Sequence, residues 1–142
     1  MRIFGFIALA SLLLCYGCAR HDRGSATCCV YPEASIFLHL GGGSGETVTI
    51  SEMAKKVNVS RDGSSKGTSI SSSYKELTRI LFESERWRIQ ASPHFHQGPW
   101  TETSRTIFRM ERGSDGLSLQ GAQVPPKWIA AIRAYADEVL QN

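Results

Sequence analysis

The sequence has no large excess of charge of either sign, no internal repeat and no apolar run of membrane-spanning length. Its 16 basic and 13 acidic residues give a formal net charge of +3, which does not predict the clustered basic surface of a nucleic-acid-binding protein. We therefore expect no nucleic-acid partner. The longest apolar run, from Ile3 to Leu14, is shorter than the roughly 20 residues that a transmembrane helix requires.

Motifs that would identify an enzyme are also missing. The glycine-rich run at residues 41–45 is not followed by the Lys-Ser/Thr pair of a phosphate-binding loop. Ser44 stands between two glycines, but it does not lie in the GxSxG motif of a hydrolase nucleophile. Glu83 and Glu85 are two residues apart, a spacing that does not place two carboxylates on one helix face. We expect no catalytic residues.

The first 18 residues have the layout of a secretory signal with a cleavage site. Arg2 supplies a positive start, the apolar run follows, and Gly17 is a small residue directly before Cys18. Arg20 then ends the apolar segment abruptly. This pattern predicts that the protein is exported and that residues 1–17 are removed.

Residues 1–18 resemble the signal peptide of a bacterial lipoprotein, whose lipobox ends in a small residue and the cysteine that is acylated. Gly17 and Cys18 match these last two positions, whereas Cys15 replaces the usual leucine and Tyr16 is bulkier than usual. The resemblance implies that Cys18 becomes the N-terminus and carries a diacylglycerol and an amide-linked acyl chain such as palmitate. Three acyl chains anchor a protein stably. Plain secretion and an uncleaved anchor are the alternatives.

The residue after Cys18 bears on the location that the same resemblance implies. Aspartate at that position retains lipoproteins at the inner membrane, and here the residue is Ala19. We therefore expect a lipid-anchored protein of the bacterial cell envelope, at the outer membrane and facing the periplasm.

Cys28 and Cys29 would be the remaining thiols of the mature chain. Adjacent Cα atoms are about 3.8 Å apart, which is closer than a relaxed disulfide allows. A disulfide between these two residues is therefore disfavoured. The sequence leaves open whether they are inert tether residues, link two copies through a disulfide, or have a redox or metal role.

The chain after the leader divides into a tether and one domain. Residues 18–33 lack periodicity and predict a lipidated N-terminus with a flexible tether, and residues 34–142 predict a single small domain. The expected fold class is α+β: an antiparallel sheet of five or six strands with two helices packed on one face. Pro125-Pro126 predicts the start of the closing helix.

Alternating apolar residues predict most of the strands. We expect strands near residues 36–40, 47–50, 57–59 and 87–91, and a hairpin over residues 105–119. The serine-rich segment 64–73 predicts a loop that is mobile at least in part. Ser73 and Glu76 have the spacing of a capping box and predict a helix from Tyr74 to about Ser84.

The segment 92–100 contains the candidate binding residues. His94 and His96 would lie on one face of an extended chain, where two imidazoles could bind zinc or copper, with Glu102 or His39 as a third ligand. The flanking prolines and glycine favour an irregular surface loop instead, so we expect no cofactor. Phe95 and Trp100 are the tentative partner-binding residues, because aromatic side chains on loops often anchor interfaces. They could equally close the core.

These observations favour a non-enzymatic envelope lipoprotein that binds another envelope protein as an assembly factor, inhibitor or immunity-type protein. The glycine-rich break after the first strand and the closing helix are similar to small bacterial protease inhibitors of the emfourin type, a likeness that assigns no residue. The alternative is a metal- or small-ligand-binding envelope module that uses the His94/His96 loop. An envelope hydrolase would need a site assembled from residues far apart in the sequence.

Overall fold

The computed structural model describes residues 33–43, 45–93 and 105–142. The strands are Ala34–His39 (β1), Thr47–Met53 (β2), Lys56–Arg61 (β3), Ser64–Ser69 (β4), Ile107–Arg112 (β5) and Asp115–Gln120 (β6). The helices are Ser72–Phe82 (α1), Glu85–Gln90 (α2) and Pro126–Gln141 (α3), and a 3₁₀ helix spans Gly121–Gln123. The expected α+β fold with a six-stranded sheet is confirmed.

The strands form one antiparallel sheet in the order β4-β3-β2-β1-β5-β6. The first four strands run as a meander, and after α1 and α2 the chain returns on the other side of β1 as the β5–β6 hairpin. Two-residue turns connect β2 to β3, β3 to β4 and β5 to β6. In the β3–β4 turn, Asp62 and Gly63 both have positive φ (47° and 88°), which is the backbone of a two-residue type I′ hairpin.

The strict alternation of side chains places the core on one face of the sheet. Ile36 in β1 is opposite Ile50 in β2 and Met110 in β5, and all three are buried. The other face carries short polar side chains on the β2–β4 half, among them Thr49, Asn58 and Ser65. Since one face is apolar and the other is not, the register of the ladders is fixed by burial.

The helices α1 and α3 cover the apolar face. In α3, Trp128, Ile132 and Tyr135 follow the helical period and are buried, and the Trp128 ring lies 5.3 Å from the Phe108 ring of β5. The Tyr74 ring of α1 lies 5.7 Å from the Tyr135 ring. The two helices therefore pack on each other as well as on the sheet.

Three expectations about the middle of the chain are wrong. The segment 64–69 is not a loop but strand β4, because the Asp62-Gly63 turn brings it back along β3 and every residue pairs there. The α1 cap is Ser71 rather than Ser73, and its Oγ accepts a hydrogen bond from the Tyr74 N–H at 3.1 Å.

The expected strand at 87–91 is instead helix α2. The Ser84 hydroxyl accepts a hydrogen bond from the Trp87 N–H at 3.2 Å and caps the helix. Trp87 packs edge-on against Phe82, whereas Ile89 is 71% exposed. The alternation of apolar and basic residues in this segment is therefore not a burial pattern.

Candidate functional site

The outer edge of β4 is the feature of the described residues that we consider the candidate site. In a two-residue hairpin the residues flanking the turn form a hydrogen-bonded pair, and such pairs then alternate along the ladder. Arg61 and Ser64 flank the β3–β4 turn. It follows that Ser65, Gly67 and Ser69 direct their N–H and C=O groups away from β3. Among the described residues, no backbone hydrogen bond engages these three outward positions.

The β4 edge is accessible and its side chains are small. Residues 64–67 and Ser69 are exposed to solvent. Gly67 lies at the middle of the strand, and a Cβ atom there would come within 2.9 Å of the Asn58 Oδ1 atom. A small residue at this position therefore keeps the ladder regular and leaves the edge unobstructed.

Three lysines lie along this edge. Lys66 projects from β4 toward the helical face, Lys56 projects from β3 toward the open face, and Lys55 is in the β2–β3 turn near the end of β4. All three are exposed, and none forms an ion pair with a described residue. The edge is thus basic on both faces.

A cleft of about 380 Å³ lies beside the first half of β4, between the strand and the C-terminal end of α3. Lys66, Ser64 and Ser65 line it on the strand side, and Leu140 lines it from the helix. A side chain of a strand added to β4 would enter this cleft. Arg61 and Asp62 complete the lining, so the walls combine one unpaired ammonium, one guanidinium, one carboxylate, two hydroxyls and a single aliphatic contact.

An ion-pair cluster fixes α3 against the strand next to this edge. Arg61 of β3 lies on the core face, with its Nε 3.1 Å from the Glu46 carboxylate and its guanidinium bound to Asp137 of α3. Arg133 of α3 lies 3.1 Å from the same Glu46 carboxylate, and its carbonyl oxygen accepts a hydrogen bond from Arg61 at 3.1 Å. Glu46 is buried, whereas the Arg133 and Asp137 side chains are about half exposed, so the cluster joins α3 to β3 beside the cleft at the boundary between core and solvent.

The opposite edge of the sheet is blocked at two of its three outward positions. Gly116 of β6 donates to and accepts from Ser92, with N···O distances of 3.1 and 3.0 Å. The Gln120 N–H donates to the Gln123 side chain at 3.3 Å, where the 3₁₀ helix begins. Ser118 is the outward residue left between them. An added strand would therefore find fewer free groups on β6 than on β4.

At the opposite end of the strands, a buried tyrosine links α1 to the sheet. The Tyr74 hydroxyl donates a hydrogen bond to the Glu52 carboxylate at 2.8 Å. The pKa of Tyr74 is raised far above its ordinary value. Burial is the larger cause, and the hydrogen bond to the Glu52 anion is the second. The neighbouring Arg112 guanidinium lies 4.3 Å from the centre of the Phe82 ring. We assign this group of residues a structural role, since the hydrogen bond from Tyr74 to Glu52 attaches α1 to β2.

A second concave surface lies between α1 and α3, on the side of the helices away from the sheet. It has a volume of about 500 Å³, and its base is formed by Leu77, Ile80 and Ala131. Its acidic rim is already paired: Glu76 forms an ion pair with Arg79, which lowers the Glu76 pKa, and Glu138 accepts a hydrogen bond from Ser73. Nothing in these contacts selects a ligand.

The residues predicted from the sequence as sites fall largely outside the described part of the chain. Cys18, His94, Phe95, His96 and Trp100 all lie outside the described residues, so their predicted roles stay predictions. The suggested third ligand His39 is described: it lies on the open face of β1, where its Nδ1 is 2.9 Å from the Thr47 hydroxyl. Within residues 33–43, 45–93 and 105–142, no three His, Cys, Asp or Glu side chains are placed to share a metal ion.

The β4 edge was missed by the sequence analysis because its segment contains no apolar residue to alternate. A different signal identifies it. Asp62-Gly63 is a two-residue turn that directly follows the β3 pattern, and such a turn predicts a returning strand whatever its composition.

No protein-family model and no curated protein matches the sequence. Over the described residues, no helix is both long enough and apolar enough to cross a bilayer.

Proposed function

We propose that this protein is a non-enzymatic, lipid-anchored protein of the bacterial cell envelope whose domain binds another envelope protein. In this proposal Cys18 carries the lipid, the protein faces the periplasm from the outer membrane, and the partner binds at the β4 edge. The observation that carries the proposal is the row of outward backbone groups at Ser65, Gly67 and Ser69, which have no backbone partner among the described residues.

A free strand edge supports protein binding because an extended segment can extend the sheet through main-chain hydrogen bonds. The edge of β4 is six residues long, is exposed, and adjoins a cleft that can accept a side chain of the added strand. The ion pairs of Arg61 with Glu46 and Asp137 join β3 to α3 and so connect the two sides of this cleft within the folded domain. A preformed site lowers the ordering cost of binding.

The lipid anchor is supported by the lipobox-type segment that ends at Gly17-Cys18. Metabolic labelling with a clickable palmitate analogue tests it. The native chain should incorporate the label and fractionate with membranes, and Cys18→Ala should abolish both. Cys28→Ala is the matched control and should keep the label. Label that survives in Cys18→Ala would contradict the anchor.

The binding site is tested in living cells with a photoreactive amino acid at position 65 of the full-length protein. We expect a cross-link to an envelope protein from position 65, and none from position 127, which is exposed at the start of α3. The decisive measurement repeats the experiment in a chain that also carries Ser69→Pro. Proline removes an outward N–H without breaking the β3–β4 ladder, so the cross-link should be lost while the fold is kept.

A cross-link that persists in the Ser69→Pro chain would mean that the neighbouring protein does not bind by strand addition. Equal cross-linking from positions 65 and 127 would mean that contacts are random. Either result would contradict the proposal that β4 is the binding edge.

A further inference from the structure

We propose that the segment added to β4 is an extended, acidic stretch of the partner protein. This inference rests on the proposed function and specifies the chemistry of the partner. It is based on the arrangement of Lys55, Lys56 and Lys66 around the free backbone groups of β4.

The first step of the argument is the position of Lys66. On β4, Lys66 shares its face with Ser64 and Thr68, since alternate residues of a strand point the same way. The residue of an added strand that is paired with Lys66 would have its Cβ about 5 Å from the Lys66 Cβ. An aspartate or glutamate at that position would form a cross-strand ion pair beside the cleft.

The second step is the charge around the edge as a whole. Lys56 lies one strand further in on the open face, and Lys55 lies in the adjoining turn, so cations flank both faces of an added strand. Two carboxylates lie nearby. Asp137 is paired with Arg61, whereas Asp62 accepts a hydrogen bond from the Thr47 N–H at 2.8 Å that does not cancel its negative charge. The three unpaired lysines outnumber this one carboxylate, so the charge along the edge is net positive and favours acidic segments.

The same charges disfavour the two other candidate occupants. If a second copy paired antiparallel through β4, centred on Gly67, the two Lys66 side chains would lie on one face at diagonal positions about 7 to 8 Å apart. Like charges at such positions are unfavourable, and lysine on an edge strand discourages self-association. The segment before residue 33 carries Arg20 and Arg23 against one carboxylate, Asp22, so it is not the acidic stretch that this edge favours.

The proposal is tested with synthetic peptides and the full-length mature protein in detergent micelles. The probes are three fluorescent eight-residue peptides: one alternating threonine and aspartate, one alternating threonine and lysine, and the aspartate peptide interrupted by a central proline. Fluorescence anisotropy should show that the aspartate peptide binds about tenfold more tightly than either of the others. Its affinity should fall as salt is raised.

Two matched charge reversals locate the interaction. Lys66→Glu should remove the preference for the aspartate peptide and increase binding of the lysine peptide. Lys127→Glu makes the same change of net charge on α3, away from β4, and should leave both affinities close to those of the native protein. Amide hydrogen exchange should slow at Ser65, Gly67 and Ser69 when the aspartate peptide is bound.

Several outcomes would overturn the acidic-segment proposal. They are equal binding of the aspartate and lysine peptides, the same effect from Lys66→Glu and Lys127→Glu, or protection of the β4 amides by self-association without peptide. If any of these occurs while position 65 still cross-links a partner in cells through the Ser69-dependent contact, the charge preference fails and the binding edge stands. If that cross-link is also absent, the binding function fails as well.

Discussion

Gly116 at the β6 edge exchanges two hydrogen bonds with Ser92, whereas Ser65, Gly67 and Ser69 at the β4 edge have no backbone partner among the described residues. Both edges belong to the same sheet and both follow a two-residue turn. The difference is that two other parts of the chain contact β6, Ser92 before it and the 3₁₀ helix after it, while no described segment covers β4.

This difference shows two ways in which a sheet can limit unwanted pairing. At the β6 edge, hydrogen bonds within the chain restrict pairing with another strand. The β4 edge has only its polar composition and its lysines, which discourage pairing with other basic or apolar strands but leave an acidic one free to bind. Under the proposal, charge selects the strand that pairs with β4, whereas at β6 hydrogen bonds within the chain already occupy part of the edge.

The largest expected effect comes from a substitution that affects both halves of the sheet. Trp128→Ala should lower the free energy of unfolding by about 3 to 5 kcal/mol, because it removes a buried ring that packs on Phe108 and anchors the start of α3. Urea denaturation measures the free energy of unfolding, and protection of the backbone amides from hydrogen exchange should fall on β3 and β6 alike. A loss of protection confined to one edge would show that the two halves unfold independently.

The next change acts on the β4 half alone. Arg61→Met should lower the free energy of unfolding by about 1 to 2 kcal/mol, since it removes charged hydrogen bonds to α3 and leaves Glu46 with Arg133 as its remaining partner. Arg79→Met is the matched control. It breaks an exposed pair with Glu76 and should have no measurable effect. Equal losses in the two variants would mean that the Glu46 cluster does not hold α3.

Alkaline pH should weaken the attachment of α1 to the sheet. Folded Tyr74 keeps its proton above pH 10, where the unfolded chain loses it, so the free energy of unfolding should fall as the pH rises. By pH 11 the loss in the free energy of unfolding from this group is on the order of 1 kcal/mol. Tyr74→Phe should flatten the decline without removing it, because burial also raises the Tyr135 pKa. Urea denaturation from pH 8 to 11 measures the free energy of unfolding of both proteins. Parallel curves of this free energy against pH would show that Tyr74 is not responsible for the decline.

The smallest change compares the two edges directly. Ser92→Pro removes the N–H that donates to the Gly116 carbonyl and should lower the free energy of unfolding by about 1 kcal/mol. Ser65→Pro removes an outward N–H from β4 that has no partner and should cost less. Chemical denaturation of the two variants under the same conditions gives the comparison. A greater loss in Ser65→Pro would show that β4 is covered.

The fold class and most of the elements could be predicted because their signals are local. Alternating apolar residues identify β1 and β5, and Pro125-Pro126 identifies the start of α3. Segments without such signals were misassigned. Strand β4 has no apolar side chain, and α2 is six residues long, too short for a period of 2 to be told from one of 3.6.

The candidate site could not be predicted from residue types. It consists mainly of backbone groups, and the direction of those groups depends on the pairing of Arg61 with Ser64 across the turn. The lysines are visible in the sequence, but only the ladder places Lys56 and Lys66 on opposite faces of one edge. The segment that the sequence analysis favoured, with His94 and Trp100, lies outside the described residues.

The position of β1 in the middle of the sheet has a mechanical consequence. The segment that precedes the domain continues into Ala34, and β1 is paired along its full length with both β2 and β5. A pull applied along the chain from that side would load both ladders in shear, so that their hydrogen bonds resist together and do not open one after another. In the proposed lipid-anchored protein, tension along the tether would therefore reach a partner bound at β4 without unfolding the domain from its N-terminal strand.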